Sequence, residues 1–217
     1  MINQNKALFE YIIIDGLSID DTLKIVKRYS GYIKLISEKD NGVYDAMNKG
    51  INIASGKYLY FLGAGDQLKE GVLEKINLIL PQGKLNFVYG NVYRLDRNTI
   101  YDGLFSKSKL NKRNICHQAI FYERNIFNVA GKYDLKYKIK ADYALNLKCY
   151  GCKEIKKKYI NEVIADYKGF GISYEHQDEN FMKERPRLIK ANLGLKEYFV
   201  LKLRNCYVRI FNKLKHN

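Results

Sequence analysis

Four carboxylates carry the first chemical signal in this 217-residue chain. Asp15, Glu38, Asp45 and Asp66 fall at or near the C-terminal ends of strand-like runs: Asp15 closes the run 9–15, Glu38 and Asp45 follow 32–37, and Asp66 follows 58–62 through Gly63-Ala64-Gly65. In an open α/β sheet, the loops at those strand ends form the ligand crevice. Most loop acids cap turns or face solvent. Three or four converging on one rim are harder to assign to capping alone. Asp142 opens a helical run and, by position alone, is an N-terminal helix acid worth a few tenths to about 1 kcal/mol through the dipole. His117 is a lone histidine beside a strand, the kind of residue that is more often structural than a ligand. Cys149-Tyr150-Gly151-Cys152 has the spacing of a metal or redox pair, but a structural zinc needs four ligands and no second pair exists, so metal or redox use is not expected there.

Holding those residues in place requires alternating elements. Residues 9–15 are β-branched and aromatic, end in Asp-Gly, and read as a buried strand feeding a loop. Ser18 stands as N-cap, with Asp20 and Asp21 in the positive first turn of an amphipathic helix over 22–29. Further strands are expected over 32–37, 58–62 and 86–93, and helices over 42–54, stopped by Ser55-Gly56, and over 71–80, stopped by Pro81. Short connections between alternating strands and helices predict an α/β fold with a mostly parallel sheet and helices on both faces. Beyond residue 96 the alternation loosens into strands over 119–122 and 159–167, a helix over 142–151 and a glycine-rich loop at 168–171. A long helical pattern then runs from after Glu175 to Lys215, broken near Pro186.

Apolar residues make up 47% of the chain, aromatics 13%, and there are only two prolines, which excludes disorder, collagen and a membrane-spanning bundle. The length suits one domain with a short appendage. The net charge of +15 is lopsided, +1 over residues 1–106 and +14 over 107–217. A one-sided basic field attracts phosphates, whether of anionic lipid, nucleic acid or a polyphosphate substrate. Four cysteines and the lack of a signal-peptide pattern before the first strand lead us to expect a reducing, cytoplasmic setting.

Several segments resemble the family 2 glycosyltransferases of GT-A fold. They are Ile12-Ile13-Ile14-Asp15-Gly16-Leu17-Ser18-Ile19-Asp20-Asp21-Thr22, the stretch from Ser37 through Asp45-Ala46-Met47-Asn48 to Gly50, and Ala54-Ser55-Gly56-Lys57-Tyr58 leading to Asp66. Cys116-His117-Gln118-Ala119 and Ile139-Lys140-Ala141-Asp142-Tyr143 are similar to acceptor-side segments of the branch that builds bacterial surface polysaccharides. The resemblance implies a GT-A domain over 1–175 and an enzyme transferring a sugar, with inversion, from a nucleotide-sugar, here a UDP-sugar, to a glycan or lipid-linked acceptor. It assigns Asp66 to a divalent cation, Mn²⁺ or Mg²⁺, Asp15 to the uracil or ribose, and Asp45 and Asn48 to the same donor pocket. Asp142 becomes the catalytic base, His117 and Gln118 the acceptor side or active-site floor, and Ser173 part of a loop closing over the donor. Two departures accompany it. Gly63 and Gly65 stand where the family often has acids or Asn, and Ile2-Asn3-Gln4 matches the end of the family's first helix, so the first strand and most of that helix are expected to be missing. The alternative is an inactive, truncated glycosyltransferase-like protein that binds membrane or a partner.

Residues 176–217 are expected to form a basic amphipathic helical tail. From residue 181 onward there are ten Lys/Arg against Glu184 and Glu197, with Leu193, Phe199, Val200, Leu203, Tyr207, Ile210, Phe211 and Leu214 at three- and four-residue steps. That stripe either packs on the domain or lies on the anionic cytoplasmic leaflet, which would make the protein peripheral to the membrane. The charge and 19 tyrosines would also suit nucleic acid, but no recognition motif for it is present, so nucleic acid is not expected as a partner.

Overall fold

A computed structural model describes residues 4–169 and 176–215. Ile2, Asn3 and Ser173 lie outside the described residues. The chain opens with a parallel pair, β1 (Tyr11–Asp15) and β2 (Ile33–Ser37), joined through α1 (Thr22–Lys27) and followed by α2 (Val43–Ile53). Then come β3 (Tyr58–Tyr60), β4 (Gln67–Leu68), α3 (Val72–Ile79), β5 (Asn86–Arg94), β6 (Thr99–Tyr101) and α4 (Lys107–Lys112). The second half holds β7 (Ile120–Glu123), α5 (Ile126–Val129), α6 (Ala141–Gly151), β8 (Lys156–Tyr167), α7 (Glu179–Leu193) and α8 (Leu195–Lys215).

The α/β architecture holds, with one difference in detail. The larger, six-stranded sheet runs β3-β7-β5-β8-β4 with β6 on β5, and it is mixed: β5 and β8 are parallel, while β7 inserts antiparallel between β3 and β5. Among the described residues no ladder joins this sheet to the β1–β2 pair.

Strand alternation puts helices on both faces. On one side Phe87 and Tyr89 of β5 and Ile120 and Tyr122 of β7 meet Leu145, Leu147 and Tyr150 of α6. On the other, Val88 and Phe121 meet Val72 and Ile76 of α3. The first of these cores also takes in Phe181, Ile189 and Leu193, so α7 is packed on the domain along its length.

Two helix boundaries differ from the sequence expectation. The helix expected over 22–29 ends at Lys27, where Arg28, Tyr29 and Ser30 turn back to the carbonyls three residues earlier, and its cap position is Asp21, since Ser18 N–H is taken by the Asp15 carboxylate. The break expected at Pro186 falls instead at Gly194. Pro186 lies inside α7, where the missing N–H and ring clash would usually kink the helix, but Phe181 on one side and Ile189 and Leu193 on the other are anchored in the core. Gly194, at φ 99°, ends it, donating its N–H to the Ile189 carbonyl at 3.2 Å.

Candidate active site

The four rim acids separate into two neighbourhoods. The parallel register pairs Asp15 with Ser37, and Ser37 Oγ donates to Asp15 Oδ2 at 2.7 Å, while Leu17 N–H and Ser18 N–H point at the same carboxylate. Hydrogen bonds from Ser18 and Ser37 hold Asp15 below the usual carboxylate range. Glu38 pairs with Lys49 at 2.9 Å. Asp45, in the first turn of α2, accepts from Asn41 N–H at 2.9 Å, a turn-fixing contact. Asn48 clamps the Tyr133 backbone from both sides, Nδ2 donating to its carbonyl (2.9 Å) and Oδ1 accepting its N–H (3.0 Å).

The second neighbourhood gathers Asp66, His117, Gln118 and Asp142. Gln118 Nε2 donates to Asp66 Oδ2 at 2.5 Å, Lys168 N–H donates to Asp66 Oδ1 at 3.2 Å, and Cys116 Sγ donates to Gln118 Oε1 at 2.8 Å. Tyr60 of β3 fixes this turn by donating to the Gln118 carbonyl at 2.8 Å. Asp142 sits in the first turn of α6, where the helix N-terminus favours an anion, and is only 8% exposed. Its Oδ1 accepts from Tyr44 Oη at 2.9 Å and its Oδ2 from Asn114 Nδ2 at 2.7 Å. His117 Nδ1 lies 4.0 Å from Asp142 Oδ2.

Burial holds His117 below the ordinary imidazole value, with the Asp142 and Asp66 charges pulling the other way, so the ring is neutral near pH 7. Burial also pushes the Cys116 thiol up to about 12, which keeps it a thiol, and raises Tyr44 with help from Asp142. His117 Nε2 is buried and has no hydrogen-bond partner among the described residues.

Three residues missing from the sequence reading complete the frame. Tyr44 of α2 also donates to the Ile139 carbonyl at 2.8 Å, tying α2 to the start of α6. Asp178, the cap of α7, accepts from Ile139 N–H (2.8 Å), Lys140 N–H (3.0 Å) and Phe181 N–H (3.0 Å), so one buried carboxylate fixes the N-termini of two helices. Asn114 is the third. It lies two residues before the Cys116–Ala119 segment, outside every stretch that the sequence marked.

The donor set suits a hard divalent cation shared with a ligand. Among the described residues no three or more His, Cys, Asp or Glu are grouped so that they could hold a metal ion by themselves. Asp66 supplies a carboxylate and His117 a neutral ring nitrogen with no partner among the described residues, a combination that fits Mn²⁺ when phosphate oxygens fill the remaining positions, whereas Mg²⁺ would be held by Asp66 and phosphate oxygens without the ring. A Cβ at Gly63 would sit 2.8 Å from Asp66 Oδ2, so the glycine leaves that oxygen its space. Cys149 is buried and Cys152 partly so; both are free thiols.

A mixed α/β sheet with its polar cluster at the strand ends defines a GT-A fold, and the chain belongs to glycosyltransferase family 2, which makes it a transferase: residues 1–139 match Glycosyl transferase family 2. Over 201 residues it is 37% identical to the PGL/p-HBAD biosynthesis glycosyltransferase of Mycobacterium bovis (strain BCG / Pasteur 1173P2), covering 89% of this chain and 78% of that protein. In fold it is similar to S. aureus TarS residues 1–349 in complex with UDP-GlcNAc, with a TM-score of 0.69 at 15% identity over 86% of this chain and 58% of that one. It is also similar to GalNAc-T7 with UDP, GalNAc and Mn²⁺, with a TM-score of 0.56 at 18% identity over 77% of this chain and 39% of that one. The chain thus spans just over half the length of the TarS structure it resembles.

Proposed function

We propose that this chain transfers a sugar from a UDP-sugar to a hydroxyl of a glycan or lipid-linked acceptor in surface polysaccharide synthesis, in one displacement with inversion. The observation that carries the reading is Asp142: a buried carboxylate in the first turn of α6, fixed by Tyr44 and Asn114 and sharing His117 as neighbour with Asp66. Each of its oxygens has a second lone pair free to accept a proton. As the acceptor oxygen bonds to the anomeric carbon, its proton passes to Asp142 and the bond to the UDP oxygen breaks, leaving UDP. Asp66 and His117 would hold the divalent cation beside the diphosphate, and Asp15 would accept from the uracil N–H or ribose hydroxyls. A cation there would supply positive charge to the departing diphosphate. Asp45 and Asn48 would line the donor pocket by holding its walls, and Gln118 would keep Asp66 turned toward the cation. The UDP-GlcNAc-bound relative in fold supports the donor class, and the name of the mycobacterial relative supports a biosynthetic transfer.

The test is Asp142→Asn, which keeps the shape and removes the base. Turnover should fall by about 10² to 10⁴ while UDP-sugar affinity stays within about twofold. Retained kcat would return Asp142 to a helix-end role.

A further inference from the structure

The last helix carries an exposed apolar stripe. Its first half is fixed to the domain: Leu201 is buried in the main core, and Asn111 of α4 donates Nδ2 to the Glu197 carbonyl (2.8 Å) and carboxylate (3.0 Å). Its outward face is different. Leu195, Phe199, Leu203 and Tyr207 recur every four residues and are exposed, with Phe199 at 59%, Leu203 at 71% and Tyr207 at 70%. Residues spaced by four line one side of a helix, drifting slowly around it, and a contiguous exposed apolar patch of this kind marks an interaction surface.

Charge selects what covers it. In sequence α8 carries Lys196, Lys202, Arg204, Arg209, Lys213 and Lys215 against one acid, Glu197, which is buried, and Lys196 and Lys202 are exposed. A second copy of the chain would set two such basic helices against each other. An anionic bilayer surface complements both features, accepting the apolar side chains below its headgroups and pairing the lysines and arginines with phosphates. Among the described residues no helix is long and apolar enough to cross a membrane, so α8 would lie on the surface.

We propose that α8 binds the anionic lipid surface with Phe199, Leu203 and Tyr207 inserted, anchoring the domain through its fixed first half. The proposal stands apart from the transfer reaction, since lipid binding is measured without donor or acceptor. The full chain is co-sedimented with phosphatidylglycerol/phosphatidylcholine vesicles and with pure phosphatidylcholine vesicles, at low and high salt. The double variant Leu203→Glu/Tyr207→Glu is run alongside. Both positions are exposed, so its circular dichroism and thermal midpoint should match those of the parent. Partitioning onto the anionic vesicles should exceed that onto phosphatidylcholine by at least about tenfold, because each basic residue near such a surface contributes roughly fivefold, equivalent to about 1 kcal/mol. High salt or the double substitution should remove most of it. Binding that ignores phosphatidylglycerol, or that the double variant keeps, would overturn the proposal. So would a parent dimer, seen by light scattering, that the variant dissolves while the parent ignores vesicles, since the stripe would then belong to a second copy.

Discussion

The β1–β2 pair and the six-stranded sheet are built from similar residues to different depths. β1 reads Tyr-Ile-Ile-Ile-Asp, yet its one buried residue is Asp15, and neither β2 nor α1 contributes a buried residue. Along β5 the first seven residues are all buried, as are nine of the eleven residues of α6. The two halves of the candidate site therefore rest on different foundations. Asp142, Asp66 and Gln118 stand on or beside the deeply packed sheet, whereas Asp15 stands on a pair of strands tied to it through α2 and, ahead of β1, through Gln4 and Asn5, which bond to Lys69, Leu73 and Glu74. Local opening free energy follows buried contact, so the Asp15 end should open first and the Asp142 end only with the whole domain.

The largest expected effect is in hydrogen exchange. Amides of β5 should be protected at least about a thousandfold more than those of β1, because β5 opens only in global unfolding. Equal protection would erase the distinction between the halves.

A smaller effect is expected at the tie itself. Tyr44→Phe removes one hydroxyl whose single proton is shared between the Ile139 carbonyl and Asp142, taking a donor from a buried pair of acceptors. A loss of about 1–3 kcal/mol is expected, read as a lower thermal midpoint, together with a several-fold fall in turnover at unchanged UDP affinity. A variant as stable and active as its parent would show that α2 does not couple the halves.

The smallest effect belongs to Ser37→Ala, which takes one donor from Asp15. A carboxyl held below its unfolded value adds stability above about pH 4 and loses it as pH falls through the folded value. The variant should be about 1 kcal/mol less stable at pH 7, and its deficit should shrink in acid unfolding curves below pH 4. A deficit constant with pH would mean that Ser37 acts through packing.

Local pattern made much of this legible. The apolar run at β1, the stop at Ser55-Gly56 and the Asp142–Gly151 register show in periodicity because each needs only its neighbours. The antiparallel insertion of β7 between β3 and β5 does not, since pairing partners leave no local trace. Pro186 reads as a break in any local account, and only the distant core contacts of Phe181, Ile189 and Leu193 explain its place inside α7. Site residues divide the same way. Asp15 and Asp66 stand out by their strand ends and Asp142 through the family resemblance of its segment, while Tyr44 reaches Asp142 across 98 residues of sequence and Asp178 reaches Ile139 across 39. Both are ordinary polar residues until the fold brings their partners to them.

Asp66 is the carboxylate proposed to make donor binding depend on a cation, and with glycines at 63 and 65 neither of those positions offers an acid to replace it. Titrating UDP-GlcNAc into the full chain by calorimetry, with and without Mn²⁺, tests this directly when repeated on Asp66→Ala. Mn²⁺ should tighten binding by at least about tenfold in the parent, a difference of about 1.4 kcal/mol, and by nothing measurable in the variant, whose thermal midpoint should stay close to the parent's. The same Mn²⁺ dependence in both proteins would contradict the assignment.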